Sequence, residues 1–334
     1  MTTVRTMLCG ILVSAIGGAA ALAFEAPPMP RRPDHTFSIV ARDPETGELG
    51  VAVQSHWFSV GSRVAWAEPG VGAVATQSFT EVTYGPLGLD LMRAGKSAPD
   101  ALNALRAIDP IPEVRQVGMV DAEGRAASFT GEKAIIEQCR HVGKGYSVQA
   151  NLMEKPTVCA AMVRAYETTK GDLAERMMAA LEAAQAEGGD IRGRQSAALV
   201  VVGAERVANP WEGRLFDLRI EDHPEPILEL RRLLTLARAY RKMNEGDDLW
   251  AEGKVADALA AYSAAETLAP GNHEMIFWHA ATLAAAGRVD ESLPLFAEAF
   301  SLWPLWRDLV PRLPASGLLP DDPALIARIL DAGR

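Results

Sequence analysis

Cysteine is scarce in this sequence, with three in 334 residues, and no CxxC, HExxH or paired Cys/His spacing occurs. That removes the common protein-built zinc sites, which need closely spaced thiolate or imidazole ligands, and no metal or other cofactor is expected. Positive charge is also in deficit: 33 Lys and Arg face 43 Asp and Glu, a net charge of −10. An acidic surface repels phosphate backbones and anionic lipid, so neither nucleic acid nor a membrane surface is expected as the main partner. Low-complexity tracts are missing, and 49% hydrophobic with 23% charged residues is a globular composition. The length exceeds one ordinary core, so two domains are expected.

The N-terminal apolar run, MLCGILVSAIGGAAALA, follows Arg5 and ends in Ala21-Leu22-Ala23, the small-x-small form that a signal peptidase accepts. It is shorter and poorer in large apolar residues than the roughly 20 that a spanning helix needs. Residues 1–23 therefore read as a signal peptide, and the chain is expected to be periplasmic or secreted, with no membrane attachment after cleavage. Cys9 lacks the small preceding residue of a lipidation signal. Export leaves Cys139 and Cys159, which either form one bridge or stay separately buried; sequence leaves both open. Residues 24–35 hold four prolines and read as an extended leader.

From Thr36 the pattern becomes period two. Phe37, Ile39 and Ala41 alternate with Thr36, Ser38 and Val40, Asp43-Pro44-Glu45-Thr46-Gly47 turns the chain, and Leu49, Val51 and Val53 alternate on return. A second hairpin spans 64–67 and 72–76. Tyr84-Gly85-Pro86 then breaks the chain before a helix over 87–94, and Ser97 caps another over 99–108. Strands are predicted at 116–120, 125–129, 134–136 and 146–150, helices at 156–169 and 172–187, and strands at 197–202 and 214–220. The order strands, helices, strands, helices, strands implies an α+β sandwich of two antiparallel sheets between helical layers. His223-Pro224-Glu225-Pro226 marks the domain boundary, dividing 36–222 from 224–334, and a long helix over 227–243 follows.

The second half carries an internal repeat. At a shift of 34 residues Gly253 matches Gly287, Val255 matches Val289, Leu259 matches Leu293, Tyr262 matches Phe296, Ala265 matches Ala299 and Pro270 matches Pro304. That is the tetratricopeptide period. Small Ala265 and Ala299 let helices approach, and Tyr262 and Phe296 fill the groove. Trp278, Trp303 and Trp306 either pack between the repeats or form a recognition surface, and Trp303 and Trp306 could instead be buried between subunits of a homo-oligomer.

Six stretches of the first half, TFSIVARDPETGELGVAV, AEPGVGAVATQS, YGPLGLDLM, RQVGMVDAEGRAASFTG, GYSVQAN and GGDIRGRQSAALVVV, are spread over residues 36–202. Together they resemble the family catalogued as domain of unknown function 1028. The resemblance implies the four-layer αββα sandwich of the N-terminal-nucleophile (Ntn) hydrolases, here followed by an all-α tetratricopeptide-like domain. In that superfamily a Thr, Ser or Cys opening the first strand becomes the first residue of the mature chain and attacks an amide carbonyl, its own α-amine taking the proton. Such an amine, with a pKa of about 8, is partly free near neutrality.

Thr36 stands where that nucleophile would be, although signal cleavage leaves Phe24 first and a second cut before Thr36 is required. Read otherwise, Thr36 is an ordinary strand-edge threonine. His56 is a candidate base toward Thr36 or Ser38, or a polar strand-end side chain. Asp190, Arg192, Arg194 and Gln195 can grip a substrate carboxylate, or tie their loop to the sheet. Gln77 joins the candidate substrate contacts, and Gln149 and Asn151 are candidate oxyanion donors or turn formers. The expected function is hydrolysis of a small amide or peptide bond, with a protein partner docked through the repeats; the rival is a non-catalytic small-ligand-binding sandwich.

Overall fold

The structure is a computed structural model that describes residues 36–334; the stretches read above as signal peptide and leader, 1–23 and 24–35, fall outside the described residues. Strands β1 (Thr36–Arg42) and β2 (Leu49–Ser55) form the first hairpin. Its turn is held by the Asp43 carboxylate, which accepts from the Glu45 and Thr46 amides at 2.7 and 3.0 Å. Then come α1 (Gly61–Val64), β3 (Ala65–Glu68), β4 (Gly72–Ser78), α2 (Tyr84–Arg93), α3 (Ala98–Ile108), β5 (Arg115–Asp121), β6 (Ala126–Thr130), β7 (Cys139–Gly143) and β8 (Tyr146–Ala150). Helices α4 (Val158–Thr168) and α5 (Leu173–Ala186) precede β9 (Ser196–Val202) and β10 (Arg214–Ile220).

The strands make two antiparallel sheets, one ordered β10-β9-β2-β1-β8-β7 and one ordered β3-β4-β5-β6. Alternation decides what each face meets. Val40, Leu49, Val51 and Val53 meet Ala73, Ala75 and Val120 between the sheets. Phe37, Ile39 and Ala41, at the intervening positions, pack under α4 and α5 with Met162, Met177 and Leu181. The other sheet turns Val74, Val117 and Met119 outward beneath α2 and α3. Each such buried side chain contributes about 1.5–3 kcal/mol, and the two sheets are fixed face to face between helical layers.

Two local expectations are corrected. Helix α2 begins at Tyr84, because Pro86 in the first turn removes an N–H that has no helical partner there. Gly85 lies under Trp66, where an added Cβ would be 2.4 Å from the ring. No strand forms at 134–136: Ala134 closes a turn onto Gly131 at 3.1 Å and Ile136 is 78% exposed, so the triplet has no sheet to join. The strand beside β8 at that edge of the six-stranded sheet is β7, whose Cys139 is bridged to Cys159 on α4.

The chain continues as α6 (Pro226–Ala251), α7 (Val255–Leu268), α8 (His273–Ala285), α9 (Val289–Leu302), α10 (Trp306–Leu309) and α11 (Pro323–Leu330). Helix α6 passes the expected end at 243 and stops where Gly253 turns left-handed at φ +78. Its first turns send Ile227, Leu230 and Leu234 into the core beneath the six-stranded sheet. Its later ones send Ala239 and Met243 against Tyr262 and Ala265. The 34-residue offset is visible in the backbone, with Gly287 at φ +79 matching Gly253, and Ala265 and Ala299 both fully buried. Gly246, inside α6, would place a Cβ 2.6 Å from the Tyr262 ring; its smallness lets α7 approach.

Candidate functional site

Thr36 opens β1 in the six-stranded sheet, opposite Ser55 of β2, which is itself opposite Ser196 of β9. At this end the space between the sheets changes from aliphatic to polar. Thr36, Ser38, Gln77, Gln116, Gln149 and Asn151 are all fully buried. A buried amide or hydroxyl is costly without a partner, and the six form one network across the sheets. Ser38 Oγ donates to Gln77 Oε1 at 2.6 Å and accepts from Gln149 Nε2 at 2.7 Å. Gln77 Nε2 donates to Gln116 Oε1 at 2.6 Å and to the Thr36 carbonyl at 3.2 Å. Asn151 Nδ2 donates to Gln116 Oε1 at 2.8 Å, and its main-chain N–H reaches the Thr36 carbonyl at 3.1 Å. Gln116 Nε2 closes the network on the Ala150 carbonyl and Thr130 Oγ1, both at 2.9 Å.

The rim around this network carries strain and unengaged polar atoms. All four non-glycine residues with positive φ among the described residues, Ser59, Ser78, Glu137 and Leu152, lie in the segments that leave this end of the sheets. Ser78 directly follows Gln77, and Leu152 follows Asn151. A left-handed leucine or serine costs of order 1–3 kcal/mol and persists only where its surroundings enforce it. Beside them, His56 Nδ1, Ser78 Oγ and Thr80 Oγ1 are buried with no hydrogen-bond partner, while the equally unpartnered amide of Gln54, opposite Phe37, lies on the helical face of the sheet. The 78–84 segment is held in place from both sides. The Thr76 hydroxyl donates to the Glu81 carbonyl at 3.0 Å. Arg115 donates to the Phe79 carbonyl at 2.5 Å and to Asp109 at 2.8 Å. Asp109 is destabilised as an anion by burial, yet hydrogen bonds from Arg115 and the Ile111 amide hold its carboxyl below the usual range. Burial pushes the neighbouring Tyr84 phenol up, with Asp109 adding to it, so Tyr84 stays protonated and donates to Asp109 at 3.1 Å.

Of the residues expected at the site, Thr36, Gln77, Gln149 and Asn151 meet in this network. His56, Asp190 and Arg192 form a second group beside it. The Asp190 carboxylate accepts from the His56 amide at 3.0 Å, from the Arg192 amide at 2.9 Å, and from the Arg192 guanidinium at 2.8 and 3.1 Å. Asp190 is thus engaged within its own loop and with β2. Arg194 pairs with Glu225, and Gln195 donates to Asp222 at 3.1 Å, so both reach toward the start of α6. Gln116, Ser78 and Thr80 were not singled out from the sequence. Gln116 had a findable signal: it alternates with Gly118 and Val120 on the inward face of a strand whose polar end matches that of β1.

Among the described residues no group of three His, Cys, Asp or Glu side chains is placed to hold a metal ion. The site's chemistry is that of amide and hydroxyl donors and acceptors around a hydroxyl at a strand start, with one imidazole and the Asp190–Arg192 ion pair beside them.

A family model described as a family of unknown function, DUF1028, matches residues 36–230. No curated protein matches the chain. The crystal structure of a DUF1028 protein from Silicibacter pomeroyi superposes with a TM-score of 0.54 at 30% sequence identity, covering 61% of this chain and 89% of that one.

Proposed function

The chain belongs to DUF1028, a family of unknown function, and from that premise we propose that it is an exported amide or peptide-bond hydrolase of the Ntn type, activated by a cut between His35 and Thr36. The carrying observation is the convergence at the end of the sheets where β1 starts: strained backbone at Ser78 and Leu152, next to the Gln77 and Asn151 that hold the Thr36 carbonyl, and buried, unpartnered polar atoms on His56, Ser78 and Thr80 in the segments that leave it. Strain and unmet hydrogen-bonding capacity of this kind collect at functional sites.

In the reaction, the freed α-amine of Thr36 takes the hydroxyl proton as Oγ attacks the substrate carbonyl carbon. The proton passes to the departing amine, the C–N bond breaks, and an acyl ester remains on Oγ. Water, deprotonated by the same amine, hydrolyses that ester and restores Thr36. Gln77 and Asn151 fix the Thr36 carbonyl and so position the nucleophile. Gln149 does the same for Ser38. His56, Ser78 and Thr80 are the groups left to meet the substrate, with His56 the base if the α-amine stays blocked. Asp190 and Arg192 shape the rim. The helical region acts as a tetratricopeptide-like pair that docks a protein partner or shields the site, a reading supported by the repeated glycine conformation and the paired Ala265 and Ala299.

A second reading has its own support. Thr36 is fully buried and its carbonyl already accepts two hydrogen bonds below 3.3 Å, which suits a non-catalytic sandwich that holds a small ligand. Intact-mass analysis and N-terminal sequencing of the protein recovered from an exporting host separate the two. The hydrolase reading expects a chain beginning at Thr36, and a Thr36→Ala chain that keeps residues 24–35. A chain beginning near Phe24 that hydrolyses no acyl-amino-acid or peptide substrate favours the binder.

A further inference from the structure

Between the later turns of α6 and helix α8 lies a cavity of about 570 Å³, within the range of small-molecule sites. Four aromatic side chains line it: Tyr240 and Trp250 from α6, Tyr262 from α7 and Trp278 from α8. The only charged side chains in its wall are Asp247 and Glu274, with no Lys, Arg or His. Each carboxylate is oriented by a tyrosine: Tyr240 donates to Glu274 Oε2 and Tyr262 to Asp247 Oδ1, both at 2.6 Å. Burial, reinforced by Asp247, pushes the Tyr262 phenol well up, so it remains a donor at all ordinary pH. The second oxygens, Asp247 Oδ2 and Glu274 Oε1, accept no hydrogen bond among the described residues.

This combination has one chemical complement. For a bare inorganic cation the wall is poorly matched, since no third His, Cys, Asp or Glu joins the two carboxylates among the described residues and each carboxylate already has one oxygen engaged by a tyrosine. An anion would be repelled, and a neutral apolar ligand would leave two carboxylates poorly solvated. An alkylammonium satisfies both features, its methyl or methylene shell lying on aromatic faces and its charge facing carboxylate. We propose that the cavity between α6 and α8 binds a small organic cation of the alkylammonium class. The site is separate from the Thr36 network and does not depend on the reaction assigned there.

Isothermal titration of the full-length protein with choline, with putrescine, and with 3,3-dimethyl-1-butanol, the neutral isostere of choline, tests it. At least one of the two cations binds saturably, and the neutral isostere binds about tenfold more weakly than choline or not at all. Trp278→Leu and Asp247→Asn each weaken cation binding by about tenfold, while Trp303→Leu, outside the cavity, leaves it unchanged. Circular dichroism confirms that the variants remain folded. Absence of saturable binding by both cations at millimolar concentration overturns the proposal. So does equal affinity for the neutral isostere, or binding indifferent to both cavity substitutions in folded protein.

Discussion

At Gly118 it is the missing side chain that admits the buried amide of Gln149: a Cβ there would lie 2.2 Å from Oε1. That oxygen accepts from Ser147 at 3.1 Å, while Nε2 of the same amide donates to Ser38. Gly118→Ala therefore pushes Gln149 off Ser38 and leaves polar atoms unpaired between the sheets. A loss of about 1–3 kcal/mol is expected in denaturant unfolding. A Gly118→Ala protein with the stability of the parent would show that the network tolerates displacement. The same reasoning explains why single residues of this site were hard to weigh in isolation. Thr36, Gln149 and Asn151 are common strand-end residues, and only their shared contacts set them apart from turn formers.

Helix α6 is fastened to α5 by charge as well as by apolar contact. Arg231 donates to Glu182 at 2.8 Å and to Glu175 at 2.6 Å, and Arg238 reaches Glu175 at 3.0 Å and Asp172 at 2.7 Å. Burial opposes ionisation of Glu175, but the hydrogen bonds from Arg231 and Arg238 outweigh it and lower its pKa. A carboxyl whose folded pKa lies below its unfolded value of about 4.3 contributes stability above that pH and loses it as pH falls through the folded value. The protection factors of the first turns of α6, exchange rates divided into their intrinsic values at each pH, are therefore expected to fall below about pH 4, and less so in a Glu175→Gln protein, which has already lost the charge. A second tie, the Cys139–Cys159 bridge, closes 20 residues between β7 and α4. Reduction should cost about 3 kcal/mol by the loop-entropy argument, measured as the shift in unfolding midpoint with and without reductant. Sequence left open whether these thiols were paired, since pairing depends on where β7 runs, and the apolar triplet at 134–136 drew the strand prediction away from it.

On the scale of the whole molecule, α6 joins the sandwich to the helical region as one continuous element. The sequence boundary at 223–226 coincides with the start of α6, but Ile227, Leu230 and Leu234 complete the core under the six-stranded sheet. A chain ending at residue 222 exposes the groove those side chains fill, and one ending at residue 238 keeps it covered. The shorter chain is expected to unfold at lower temperature, with about 1.5–3 kcal/mol lost for each of the three side chains. Equal melting of the two would show that α6 adds nothing to the sandwich. The aromatic residues of the repeats divide in the same way. Trp306 stacks on Phe277 with centroids 4.3 Å apart and is used within the chain, Trp278 lines a cavity, and Trp303 remains 48% exposed.

The sequence by itself determined most of the order of strands and helices, β7 and the short α1 excepted, the two antiparallel hairpins at the start, and the 34-residue repeat. These follow from period-two and period-3.6 patterning and from turn chemistry, which are properties of neighbouring residues. Only the tertiary structure decided that Gln116 joins Gln77 and Asn151, that Asp190 turns to His56 and Arg192 and not to Arg194, and that Asp247 and Glu274 share an aromatic cavity. Those pairings are made across sheets and between helices, where the partner of a polar group is set by which faces pack together, information that no local stretch of chain contains.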